Sequence, residues 1–191
     1  MSTYPCAIFS KMLTTHPVLL LSSRRGRYNT LSPLTWYVPL SQDPPMIGIS
    51  LKPSSASYHY IRESGDFILG IPGASMVKAV HFCGMHSGWD VDKLMHLNLN
   101  STRAKDVSPL MISNCMGSIE CRVRQIVSTG SRPFISGEIL SVTAEHCYYN
   151  SGWTGEAILI YYIGGNQYRV GDEIIDMSSV RPGYIPPDAI G

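Results

Sequence analysis

A chain of 191 residues has the length of one domain with decorations. Hydrophobic residues make up 44% and supply a sizeable core, while only 15% are charged, below the roughly 25% of soluble domains, which leaves room for surface buried between subunits. A formal net charge of +1 and a pI near 7.7 give no electrostatic reason to expect DNA, RNA or an anionic membrane as a partner.

The aliphatic run Val18 to Leu21 is too short to span a bilayer, which takes about 20 apolar residues. Only Lys11 precedes it, and Arg24, Arg25 and Arg27 follow, a poor match to a secretory signal. A cytoplasmic location is the expectation. The cysteines (Cys6, Cys83, Cys115, Cys121, Cys147) are odd in number and form no C-x-x-C pair, so they read as reduced thiols, mostly in the core.

In chain order, Pro17 to Ser23 predicts a strand, the Arg24 to Arg27 stretch a polar turn, and residues 29 to 35 a loop. Trp36 to Leu40 reads as extended. Asp43-Pro44-Pro45 imposes an extended entry into Met46 to Leu51, because a residue before proline avoids the helical region, and Pro45 suits a strand start. Ser54 or Ser55 caps a helix through Arg62, with Ala56, Tyr58 and Ile61 near one face, and Gly65 stops it. Phe67 to Ile71 is a strand. Ser75 caps a second helix that turns Val77, Val80 and Phe82 inward until Gly84.

Met85 to Val107 reads as a loop with one short turn around Val91 to Met95. Beyond it the pattern is extended over Ser118 to Val127, Pro133 to Tyr148 and Glu156 to Ile163. Apolar Ile119, Cys121 and Val123 alternate with Glu120, Arg122 and Arg124, the period of a strand wet on one side. The apolar phase changes after Ile139, which predicts a bulge, with curvature at Gly137. Gly164 to Gln167 turns into Tyr168 to Val170, and the tail from Arg181 is irregular. Five or six antiparallel strands with helices inserted early predict a mainly β Greek-key barrel rather than a doubly wound sheet. We expect a single domain over residues 1–191, with its core at about 15–165.

Three segments carry candidate chemistry. Asn29 to Trp36 offers Asn29, Thr30, Ser32 and Thr35 beside the flat wall of Trp36; the plainer reading is a polar hairpin loop and a core tryptophan. Lys52, Ser54, Ser55 and Ser57 surround a helix start, whose free amides and partial positive charge suit a phosphate; the plainer reading is ordinary capping and a solvated lysine. If Lys52 grips a phosphate, Lys52→Ala costs about 1.5 to 3 kcal/mol of binding. A ligand with a flat ring at one end and a phosphate at the other would use both segments, and flavin mononucleotide (FMN) is such a ligand. The third segment is Cys83-Gly84-Met85-His86-Ser87-Gly88-Trp89-Asp90-Val91-Asp92-Lys93.

The order of elements from Asn29 to Pro72, and above all the match of Cys83 to Lys93 to a C-G-x-x-S-G-x-x-x-D-K pattern, resembles the flavin reductase-like family, which includes the flavoredoxins. The resemblance spans roughly residues 15 to 165. It implies an FMN-binding split β-barrel that forms a homodimer with FMN near the subunit interface. By the same analogy Ser87, Gly88 and Lys93 approach the cofactor, with Asp92 orienting or neutralising the lysine. Gly137-Glu138 matches the family's G-E-[VI] segment, where a packing role or an interfacial ion pair suits Glu138 better than catalysis.

This chain departs from the family pattern in four places. Thr35 stands where a serine usually precedes the tryptophan, and one extra residue lies between Asn29 and Trp36. Gly70 replaces an asparagine, which would widen the site. The stretch Ser131 to Phe134 lacks the histidine that family reductases often carry there. His146 lies further along and reads as structural.

His81, Cys83 and His86 fit no zinc-ligand spacing. Histidine stands where a nucleophile elbow needs serine, and there is no G-x-G-x-x-G or P-loop. The resemblance implies an NADH- or NADPH-dependent flavin reductase, with catalytic residues unassigned. The alternative is a flavoredoxin-like carrier that holds FMN and passes electrons to a redox partner protein. A third possibility is a non-catalytic barrel for another phosphorylated ligand.

Overall fold

The computed structural model describes residues 9–13, 16–171 and 173–178; Cys6 and the tail from Arg181 lie outside them. The chain runs through α1 (Phe9–Leu13), β1 (Leu19–Arg25), β2 (Tyr28–Leu34), β3 (Tyr37–Gln42), β4 (Pro45–Ser50), α2 (Ala56–Ser64) and β5 (Asp66–Pro72). It continues with α3 (Val77–Met85), α4 (Lys93–His96), β6 (Ser101–Arg103), β7 (Leu110–Ile112), β8 (Cys115–Val127) and β9 (Phe134–Ala144), and closes with β10 (Ile160–Gly164), β11 (Gln167–Val170) and β12 (Glu173–Asp176).

Seven strands form one antiparallel sheet in the order β2-β1-β5-β8-β9-β4-β3. Its two edges, β2 and β3, are joined in the chain by Thr35 and Trp36 alone. Leu34 from one edge packs with Ile47 and Ile49 from β4, near the other, around Phe67, Leu69 and Ile135, so the sheet coils into a barrel around this cluster. On the outside, Val18, Leu20 and Leu31 meet α3 and the last strands through Val77, Val80, Phe82, Ile160 and Tyr168. This double packing explains why the start of β1 is buried at every position.

Several expectations are corrected. Residues 29 to 34 are a strand rather than a loop: Asn, Thr, Ser and Pro read locally as turn formers. Pairing with β1 from Leu19↔Leu34 to Arg25↔Tyr28 overrides that composition, and the edge position tolerates Pro33. Ser75 caps nothing; a tight turn over Ala74–Met76 leads into α3 with no side-chain cap. That helix runs through Gly84, where an added Cβ would sit 3.2 Å from Pro33 Cγ, so the glycine serves close packing rather than termination.

The extended stretch expected from Glu156 shrinks to Ile160–Gly164, and the polar segment expected as loop up to Val107 contains β6, which pairs with β7 just beyond it. The bulge in β9 falls at the expected phase change: Glu120 faces Ser141 but Cys121 faces Ile139, so Leu140 is the extra residue. A second register shift falls at Gly137, where Arg124 is the extra residue on β8, and Gly137 also makes room for the Phe67 ring, whose Cζ would lie 2.6 Å from an added Cβ.

Candidate functional site

A cleft of about 490 Å³ opens where the β2–β3 link, the end of β4, the start of α2 and the end of α3 converge. From the sequence-predicted residues it gathers Ser32, Thr35 and Trp36 on one side, Lys52, Ser54 and Ser55 on a second, and Ser87, Gly88 and Lys93 on a third. Asn29, Thr30 and Ser57 do not line it.

The α2 wall is built by local chemistry. Ser55 is the N-cap: its Oγ accepts from the Tyr58 amide at 3.3 Å and donates to the Lys52 carbonyl at 2.8 Å. Gly65 ends the helix in the left-handed region at φ +73°, donating its amide to the Ile61 carbonyl. A helix leaves its first amides without intrahelical partners; Ser55 takes that of Tyr58, and Ala56, the first residue of α2, lies on the cleft wall. Ser57 is itself buried, and its Oγ lies 2.8 Å from Ser32 Oγ, so this side chain braces α2 against β2 instead of reaching into the cleft.

The turn after α3 lies against α2. Ser87 Oγ accepts from the Trp89 amide at 3.1 Å, and Trp89 Nε1 donates to the Ser54 carbonyl at 3.1 Å. The Trp89 indole also meets Tyr60 edge to face at 5.6 Å. Gly88 must be glycine here, since a Cβ would lie 2.1 Å from Thr30 Oγ1 and 3.1 Å from Ala56 Cβ. Thr30, expected as a ligand donor, is thus sealed beneath Gly88, with an Oγ1 that meets no partner among the described residues. Asn29 Oδ1 is likewise buried and unpartnered among them.

Lys93 is the most unusual group. It is 2% exposed, and its Nζ donates to the Leu31 and Cys83 carbonyls at 2.7 Å each. Burial pushes its pKa below the ordinary lysine value, opposed by the nearby Cys83 thiol. Asp92 was expected to steady this lysine; its carboxylate instead caps α4, accepting from the Met95 amide at 3.1 Å. Among the described residues no carboxylate pairs with Lys93, so the cleft contains a desolvated cation without a counter-charge.

Trp36 carries a residue that sequence reasoning passed over. The Arg132 guanidinium, from the β8–β9 turn, sits 4.5 Å from the indole centroid and also lines the cleft. Only the missing histidine drew attention to that stretch, and nothing local tied it to Trp36. Gly70 does not widen the site: it lies between β1 and β8, and an added Cβ would be 2.7 Å from Cys115 Sγ.

Glu138 pairs with Arg124 on the neighbouring strand. The His81, Cys83 and His86 side chains have separate surroundings. His81 Nδ1 lies 3.3 Å from the Tyr168 hydroxyl, the Cys83 thiol is pushed up to about 12 by burial, and His86 stacks on Phe82 at 4.0 Å.

Against known proteins, the model of the flavin reductase like domain matches residues 11–168. An uncharacterized protein of Archaeoglobus fulgidus is 35% identical over 108 residues, which is 56% of this chain and 61% of that protein. The alignment therefore reaches less than two thirds of that relative's length. A flavoredoxin from Methanosarcina acetivorans is similar in structure with a TM-score of 0.78 and 25% identity, over 94% of this chain and 96% of that one. An FMN-binding protein from Thermus thermophilus, solved with p-hydroxybenzaldehyde bound, shares the fold at TM-score 0.76 and 20% identity, over 89% and 93% of the two chains.

Proposed function

The chain belongs to the flavin reductase-like domain family, and from that premise we propose that it is an FMN-binding oxidoreductase that takes electrons from NADH or NADPH. The observation that carries the proposal is the uncompensated Lys93 ammonium in a cleft that also holds a helix start and an aromatic wall. An anionic ligand would supply the missing counter-charge, and the cleft volume lies within the range of small-molecule sites. The residues fit FMN: the Ala56 amide, Ser54, Ser55 and Lys52 would hold its phosphate, Trp36 would flank its ring, and Lys93 would meet its negative charge.

Bound FMN would supply the hydride chemistry, while the chain supplies position and electrostatics. Trp89 and Ser55 fix the amides of the α2 start before any ligand arrives, so little ordering remains to be done on binding. Gly88 lets the 86–90 turn lie close enough to α2 to wall off that side from water. Arg132, over Trp36, extends the positive lining to the opposite side.

We also propose a homodimer. Val38 and Leu40 are exposed on the edge strand β3, and Leu40 and Phe134 lie over Gly48, giving the barrel an apolar outer face near the cleft.

A second reading, a flavoredoxin-like carrier that retains FMN and serves a redox partner protein, is favoured by Arg132 in the stretch where family reductases carry a histidine. Anaerobic mixing of the FMN-loaded protein with NADH and with NADPH separates the two. Rapid loss of the visible flavin absorbance supports the reductase; a tightly held flavin that bleaches only with dithionite or a reduced protein supports the carrier.

A further inference from the structure

Behind the cleft lies a second, smaller cavity of about 220 Å³. The two share the walls formed by Pro33, Thr35, Gly84 and Met85, so the β2–β3 link and the end of α3 separate them. Its far side is made by His81, Tyr162 and Tyr168. We propose that this cavity is a binding site for a small uncharged ring compound carrying one oxygen function, such as a phenol.

Three observations fix the ligand class. The first is size: an apolar protein cavity of about 150 Å³ holds benzene, so about 220 Å³ has room for a single ring with a substituent. The second is charge. Among the described residues no lysine, arginine, aspartate or glutamate is on the wall, and His81, on α3 and packed against Tyr168 of β11, is held toward its neutral form by burial. A ligand ion would lose its hydration there and meet no counter-charge.

The third is the set of polar groups. His81 Nδ1 is engaged with the Tyr168 hydroxyl at 3.3 Å, whereas its Nε2 has no protein partner among the described residues and is not sealed from solvent. Either tautomer of the neutral ring leaves Nε2 as one hydrogen-bonding group for a ligand. The Tyr162 hydroxyl donates to the Gly165 carbonyl at 3.2 Å, and its oxygen stays available as an acceptor. Val18, Pro33 and Met85 supply apolar wall for the ring. A hydroxyl or carbonyl on one ring carbon satisfies Nε2, and the remainder of the ring is matched by these side chains.

The test is a titration of the isotopically labelled full chain with phenol, followed through the His81 imidazole signals in a long-range proton–nitrogen spectrum and assigned with His81→Gln. It is run with and without FMN, so the outcome does not depend on the flavin reading. The expected result is a saturable shift of the His81 signals that toluene and benzoate do not produce. Tyr168→Phe, which releases Nδ1 and reorients the ring, should weaken phenol binding about fivefold to tenfold. Should that variant not fold, Met85→Trp, at an exposed position on the wall, fills the cavity and must abolish the shift. His81 signals that stay still up to the solubility limit of phenol, or that respond equally to toluene or benzoate, overturn the proposal.

Discussion

Two lysines face the cleft, and their surroundings assign them unequal weight. Lys52 is exposed at the rim, where water and salt screen its charge, whereas Lys93 is buried on two carbonyl oxygens. Lys93→Met should therefore weaken FMN binding by about 3 kcal/mol and Lys52→Ala by about 1.5 kcal/mol, the two ends of the range for a hydrogen bond to a charged group. Flavin fluorescence titration reads both, and equal losses would contradict the ranking.

The Lys93 pKa adds a sign. In the ligand-free fold it is depressed, so the unfolded chain holds this proton to higher pH, and this group's contribution to stability rises with pH across that window. An anion in the cleft draws the pKa back up, so, once the phosphate is dianionic, FMN affinity should fall as pH rises through the depressed Lys93 pKa. Lys93→Met should flatten that profile. The lysine's importance was legible only as a family position. Its ammonium rests on the Cys83 carbonyl at the other end of the same motif and on the Leu31 carbonyl, 62 residues away, and no local pattern announces the second.

At the level of elements, the site depends on the contact between the turn after α3 and the start of α2. Gly88→Ala would drive a methyl group into Thr30 Oγ1 and lift the turn, at a cost of about 1 to 3 kcal/mol typical of overpacking. Thr30→Ala removes the atom at 2.1 Å, a hydroxyl that has no partner among the described residues, but leaves Thr30 Cβ at 2.9 Å. The double variant should thus recover part of the stability and FMN affinity lost by Gly88→Ala. Additive losses in thermal unfolding would show that the two residues do not touch as described.

Elements that carry their own punctuation were readable in advance. The start of α2 at Ser55 and its stop at Gly65 rest on a side-chain cap and a left-handed glycine, both local. The strand β4 begins at Pro45, where consecutive prolines impose extended backbone, again a local effect. What escaped is what pairing decides. Strand β2 has a loop's composition and is a strand because β1 pairs along its whole length, and Arg132 reaches Trp36 only because the barrel brings the β8–β9 turn back to the β2–β3 link.

The molecule as a whole has a distinctive alkaline response written into its core. Burial raises the Cys83, Cys115 and Cys121 thiols from 9.0 to about 12 and the Tyr37 and Tyr168 hydroxyls from 10.0 to about 12. A raised acid pKa in the fold means that the unfolded chain releases the proton first. The stability tied to these groups is intact below pH 9 and is lost as pH climbs from about 9 toward 12. Lys93 opposes the trend, but five groups outweigh one. The melting temperature should fall steeply above pH 9, and Cys121→Ala should soften that slope while lowering stability at neutral pH. A melting temperature indifferent to pH up to 11 would contradict the packing described.

The central claim is that the cleft between the β2–β3 link, α2 and α3 is a flavin site, and titration of FMN into the purified protein tests it most directly. The account predicts saturable binding of about one FMN per chain, with flavin fluorescence quenched against Trp36 and affinity sharply reduced in Lys93→Met. Failure to saturate at millimolar FMN, or binding that Lys93→Met leaves unchanged, would contradict it.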